Sequence, residues 1–180
     1  MDTDSTVSSI PSISLAIPEQ HKLVTANYAG FWRRFAGYLV DGCVIGVALV
    51  LPTYIITLVT LFGSISMLGP HPDREQTLTL IKSLFVFYGI FMLIYLVASW
   101  LYFALMESSA KQATLGKMAV GIIVTDLDGN RISFGKASGR FFGRILSGLI
   151  MDIGYIMAAF TEKKQALHDI MAGTLVLLKD

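Results

Sequence analysis

Hydrophobic and polar positions in this chain are segregated on a coarse scale, into long apolar runs divided by polar stretches. From Ala36 to Phe62 the only charged residue is Asp41, and from Ser83 to Met106 there is none. Each run is longer than the roughly 20 helical residues that cross the hydrocarbon core of a bilayer. Transmembrane helices are therefore predicted over about 36–62 and 83–106. Gly46 and Pro52 are compatible with the first, because membrane helices re-satisfy locally freed backbone groups. A third stretch, about Ile145 to Phe160, is shorter, contains Gly148, Asp152 and Gly154, and follows Arg140 and Arg144. Such a segment barely spans, lies in the interface, or re-enters.

The polar stretches carry β signals. Val120–Val124 reads as a short strand, Asp126–Asn130 as a turn and Arg131–Phe134 as a return strand. The acidic turn is not a calcium loop, which needs Gly sixth and Glu twelfth, whereas Gly129 stands fourth. Gly173–Leu178 reads as another strand and is too short to span. An isolated hairpin is marginal in water, so this strand is expected to join it.

Basic residues orient the spans. Arg33 and Arg34 precede the first, and the segment between Met106 and Ile145 holds Lys111, Lys117, Arg131, Lys136, Arg140 and Arg144. The loop between the spans has only Arg74 and Lys82, with His71. The positive-inside rule puts the N-terminus and the 107–144 segment in the cytoplasm. Lys163 and Lys164 favour the same side for the C-terminus, where three full crossings would put it outside. The expected architecture is an α-helical integral membrane protein of a bacterial-type cytoplasmic membrane. It has two full transmembrane helices, a third embedded, re-entrant or interfacial segment over about 140–160, and a small cytoplasmic β-sheet. Residues 1–27 are polar and Ser-rich, include Asp2 and Asp4, and lack a basic start. They read as a flexible tail rather than a cleavable signal.

Composition narrows the function. Of the 180 residues 54% are hydrophobic and 15% charged, against roughly 25% charged in soluble domains. The net charge of +1 argues against nucleic-acid binding, which needs a concentrated basic face. Cys43 is the single cysteine, and the three histidines, His21, His71 and His168, are scattered. No disulfide or metal set follows. Thr114, Gly116 and Lys117 lack the glycine-rich run of a phosphate loop, so they read as a turn. With no nucleophile–base pair and no cofactor motif, the expectation is a protein that is not an enzyme.

The charges that interrupt apolar sequence are the candidate site. Arg34, Tyr38 and Asp41 are spaced i, i+4, i+7 and share one helix face. Asp41 lies about two turns inside the first span, where a bare carboxylate is costly and acids are functional by default. Arg34 is roughly 10 Å away along the axis and leans toward the helix start. Asp41 therefore needs another partner: Arg140, Arg144, Lys117 or the Asp41 site of a second subunit. With no cation fixed there, desolvation makes such an acid a proton carrier. The structural alternative is a clamp that fixes helix packing. Asp169, beside His168 and just before a strand, reads first as a capping or tethering residue, and Arg34 as a membrane anchor. Gly42 and Gly46 form a small-xxx-small pair suited to close helix packing, which suggests a homo-oligomer.

Taken together, Trp32-Arg-Arg-Phe-Ala-Gly-Tyr-Leu-Val-Asp41, Thr114-Leu-Gly-Lys-Met118, Arg140 and Gln165-Ala-Leu-His-Asp-Ile-Met-Ala-Gly-Thr174 resemble the RDD family of membrane proteins, named for one arginine and two aspartates. The resemblance covers about residues 28–180. On it the arginine falls at Arg34, with Arg33 as the adjacent alternative, and the aspartates at Asp41 and Asp169. It implies transport of small solutes or ions, with cation/proton exchange in some members. The expectation is an ion- or proton-coupled transport component with a small ion or proton as ligand and the lipid bilayer as surroundings. The rival is a non-transporting scaffold that uses the same charges as clamps.

Overall fold

The computed structural model describes residues 27–68, 72–149 and 153–179. The polar tail before Asn27, and Asp152 of the expected embedded turn, lie outside the described residues.

Two long helices carry the apolar runs. The first begins as α1 (Phe31–Ile45), passes through one π turn (Gly46–Val50) and continues as α2 (Leu51–Leu68). Pro52 explains the wide turn. Proline has no N–H for an i−4 bond and its ring crowds the preceding turn, so the ladder opens and Leu51 N–H reaches back five residues to Gly46 O. The Thr53 hydroxyl donates to Leu49 O at 2.8 Å. Thr57, Thr60 and Ser64 repeat this i−4 bond, so these polar side chains reach no lipid unsatisfied. The second long helix is α3 (Arg74–Glu107), opened by a capping box between Asp73 and Gln76.

Both helices outrun the expected spans. The 34 residues of α3 extend about 50 Å against a core of about 30 Å, so its charged first turns need not lie within the core. Only 6% of the most apolar window of each helix is buried within the protein, which separates these helices from the core helices of a soluble domain. Phe62, Phe85 and Val59 are among the large side chains that face outward.

The polar end is built from short elements. Thr114 caps α4 (Leu115–Ala119), which turns into β1 (Ile122–Asp126). After a turn come α5 (Phe134–Leu149), α6 (Ile153–Ile156) with a 3₁₀ turn (Met157–Ala159), α7 (Leu167–Ala172) and β2 (Thr174–Leu178). Strands β1 and β2 pair antiparallel, Ile122 opposite Leu178 and Asp126 opposite Thr174. The chain start lies along β2, with Ala29 N–H donating to Val176 O and Leu178 N–H to Asn27 O.

The expected hairpin is corrected. Arg131 makes only a single bridge to Thr125, and the residues read as a return strand run into α5. Ser133 is the reason: its Oγ accepts from Lys136 N–H, an N-cap bond that starts a helix. The strand partner of β1 is the C-terminal strand itself. The segment expected over 140–160 resolves into most of α5, then α6 and the 3₁₀ turn. Helix α6 folds back on α5 so closely that a Cβ on Gly154 would lie 2.6 Å from Ser147 Oγ. A core of Ala104, Ile122, Val124, Ile132, Ala137 and Val176 joins the sheet to the end of α3 and the start of α5.

Candidate functional site

The end of α3, the helix α1 and the short elements converge on two polar nodes. In the first, Asp41 is 1% exposed and accepts three hydrogen bonds. Thr114 Oγ1 donates at 2.6 Å, Tyr102 OH at 2.7 Å and Gly116 N–H at 2.8 Å. Tyr102 OH in turn accepts from Leu115 N–H at 3.1 Å. The carboxylate thereby seats α4 against α1 and α3. Glycine at 116 is required by this approach, since a Cβ there would lie 2.1 Å from Gly37 O and 2.8 Å from the Asp41 carboxyl carbon. The cation partners expected for Asp41 are corrected: the donors that hold it are uncharged, and Lys117, Arg140 and Arg144 turn to another acid.

That acid is Glu107, the last residue of α3, 1% exposed. It pairs with Lys117, with Arg140 at 3.0 Å and with Arg144 at 3.2 Å. Arg140 also reaches Asp169 at 2.6 Å, and Asp169 pairs with Arg34. One unbroken chain of opposite charges, Lys117–Glu107–Arg140–Asp169–Arg34, thus ties α4, α3, α5, α7 and α1 together. Asp169 adds a local tether by accepting from Ala166 N–H at 3.1 Å, and Arg34 Nε donates to Ala29 O at 2.9 Å.

These environments set the charges. Burial alone would push the Asp169 carboxyl up, but the guanidiniums of Arg140 and Arg34 outweigh it and hold it well below the usual carboxylate range. Burial lowers Lys117 to about 8, opposed by the Glu107 carboxylate. Burial lowers His168 to about 3, so its imidazole is neutral near pH 7.

Arg33 is exposed, whereas Arg34 turns inward. Tyr38 is 54% exposed, and its ring lies 6.1 Å from that of Tyr155 rather than on Asp41. His168 stands against Tyr155, 5.0 Å between ring centroids. A cavity of about 200 Å³ opens among these groups, with Arg34, Asp41, Lys117, Arg140, Arg144 and His168 on its wall and Phe31, Phe35 and Phe103 among its apolar lining. Among the described residues no group of three or more His, Cys, Asp or Glu is placed to hold a metal ion.

Sequence reasoning missed Glu107, Tyr102 and Gly116 as site residues. The signal for Glu107 was faint: an acid that closes an uncharged run and faces a strongly basic segment.

The family model described as RDD family matches residues 28–173. Similar proteins include two from Bacillus subtilis (strain 168). "Uncharacterized protein YxaI" is 41% identical over 84% of this chain and 97% of its own length. "Uncharacterized membrane protein YteJ" is 32% identical over 97% of this chain and 95% of its own. No solved structure matches the chain.

Proposed function

Because the chain belongs to the RDD family and carries two helices long and apolar enough to cross a membrane, we propose that this membrane protein is an ion- or proton-coupled transport component of a bacterial-type cytoplasmic membrane. The observation that carries the reading is the cavity in which an acid and four cations meet at one end of the long helices. Asp41 serves as the coupling group. Its oxygens accept from donors on α3, α4 and the Thr114 cap, so a proton or cation arriving at the carboxylate competes directly with the bonds that seat α4. Freeing α4 moves Lys117, and with it the charge chain that begins there. Coupling then takes the form of a latch between ion binding at Asp41 and the arrangement of five elements.

Topology supports this reading. The segment at Asn27–Ala29, β1 and β2 are hydrogen-bonded together, which favours one membrane side for all three and an α5–α6 hairpin that enters and leaves by that side. The basic residues favour the cytoplasmic side. Two long helices and one hairpin have too few walls to enclose a polar path, so the working unit is a homo-oligomer. Gly42 and Gly46, with nothing within 4 Å of an added Cβ, offer a face for a second copy.

The test is flux into sealed liposomes under imposed proton and sodium gradients. Wild-type protein should show coupled flux, and Asp41→Asn should lose it while remaining inserted and folded. The scaffold reading is kept because Asp41 is fully engaged by donors, as a clamp would be. Absence of wild-type flux under both gradients, or unfolding together with flux loss in Asp41→Asn, would favour it. A cysteine replacing Lys179, in a Cys43→Ala background, should resist an impermeant thiol reagent until cells are opened; labelling of intact cells would refute the cytoplasmic C-terminus.

A further inference from the structure

We propose that the cavity is a binding site for an oxyanion, a phosphate or carboxylate group carried on an apolar body. The inference rests on the site described above but not on flux, so it can fail or succeed separately.

The wall of the cavity is unbalanced. It presents four cations, Arg34, Lys117, Arg140 and Arg144, and one carboxylate, Asp41, whose oxygens are engaged by Tyr102, Thr114 and Gly116. The acids that pair with the cations, Glu107 and Asp169, belong to the network behind the wall rather than to its lining. With those two included, four cations still face three carboxylates among the described residues.

Hydrogen bonding points the same way. Arg34 Nη2, Arg140 Nε and His168 Nδ1 are buried with no hydrogen-bond partner among the described residues. The Arg140 side chain is only 1% exposed. A guanidinium N–H can only donate, so two of these three atoms call for an acceptor. A buried donor left without one is destabilising. An oxyanion supplies the missing charge, and the side chains that carry these donors line the cavity, where charge-assisted bonds are strongest. A bare metal cation would meet four like charges, with one carboxylate already engaged.

The remaining lining selects the body that carries the anion. Phe31, Phe35 and Phe103 are apolar, and the volume of about 200 Å³ far exceeds the roughly 10–15 Å³ that holds one water. Arg34 lies in the first turn of α1 and Glu107 ends α3. The cavity therefore sits where the long helices meet an interface, within reach of a lipid headgroup as well as of a soluble anion.

The full-length chain, purified in neutral detergent, is titrated calorimetrically with hexyl phosphate, inorganic phosphate and hexyltrimethylammonium. In parallel it is reconstituted in nanodiscs of phosphatidylcholine with and without phosphatidylglycerol, and retained lipid is read by native mass spectrometry. Hexyl phosphate should bind saturably and more tightly than inorganic phosphate, and hexyltrimethylammonium should not bind. Arg144→Gln should weaken hexyl phosphate roughly tenfold or more, the loss of one charge-assisted bond, and Arg144→Lys less. Phe35→Glu, at a 42% exposed position on the cavity lining, should weaken it similarly and serves if Arg144→Gln does not fold. Retained phosphatidylglycerol that hexyl phosphate displaces would identify the source as lipid. Binding of hexyl phosphate with no lipid retained would identify it as soluble; both support the site. Equal binding of the ammonium compound, absence of any saturable binding or retained lipid, or unchanged affinity in folded Arg144→Gln and Phe35→Glu would overturn it.

Discussion

Asp41 and Glu107 lie at the same end of neighbouring long helices and are each about 1% exposed, yet they are stabilised by opposite means. Asp41 is held by a tyrosine hydroxyl, a threonine hydroxyl and a backbone N–H. Glu107 is held by three cations from two other elements. A carboxylate held by neutral dipoles can exchange one of them for a proton or ion, and no buried cation is stranded. A carboxylate held by three cations cannot be neutralised without leaving those cations unpaired in a dry site. The first arrangement is suited to a latch and the second to a lock, and they meet in α4, which Thr114 caps and to which Lys117 belongs.

The largest effect expected from this contrast is Glu107→Gln. Breaking a buried charge set by removing one partner costs about 3–5 kcal/mol, enough to deplete folded protein given typical stabilities of about 5–15 kcal/mol. Thermal unfolding in detergent should show that loss in Glu107→Gln and a clearly smaller one in Asp41→Asn, whose amide keeps one acceptor. Equal losses would erase the distinction between the two nodes.

How much of this was legible in the chain follows from the range of the interactions. The long helices were, because uninterrupted apolarity is a local property, although Asp73 and Gln76 extend α3 beyond its apolar part. Strand β2 was also legible, as a β-rich run bounded by Gly173. The return strand misled because Arg131-Ile-Ser-Phe134 alternates like a strand, while Ser133 caps a helix through one local bond. The site was half visible. Asp41 stood out as an acid within an apolar run, but Glu107 follows a run and reads as the start of a loop. Its partners Arg140 and Arg144 lie more than thirty positions away, and Arg34 meets Asp169 across 135. Only the fold brings such pairs together, so residue type and spacing could not assign them.

A middle-sized effect should appear with pH on the side of the lock. Burial lowers the His168 imidazole to about 3, whereas an unfolded histidine titrates near about 6.5. Below pH 6.5 the unfolded chain binds a proton that the folded chain refuses. Stability contributed by the neutral imidazole is therefore present above 6.5 and lost as pH falls towards 3, at about 1.4 kcal/mol per unit. Asp169, held well below the usual range, adds its own loss only in strong acid. Between pH 6.5 and 5 the wild type should lose about 2 kcal/mol by thermal or denaturant unfolding, and His168→Gln should flatten that slope. A slope unchanged in the variant would assign the acid sensitivity to another group.

The smallest expected effect, Tyr102→Phe, tests the latch most directly. The substitution keeps the ring, which meets Phe103 edge-on at 5.2 Å, and deletes only the hydroxyl. Asp41 then loses one of three donors, and Leu115 N–H loses its acceptor. Leu115 is exposed, so water can replace the lost acceptor, and Thr114 and Gly116 still hold the carboxylate. The cost should be about 1.5 kcal/mol, the lower end for a hydrogen bond to a charged group, well under that of Glu107→Gln. Because the latch keeps two of its bonds, coupled flux should persist in liposomes when Asp41→Asn has abolished it. A Tyr102→Phe protein as unstable as Glu107→Gln would mean that the three donors act as one rigid unit and that Asp41 is a lock as well. A stable variant without flux would place the hydroxyl itself on the path of the transferred proton.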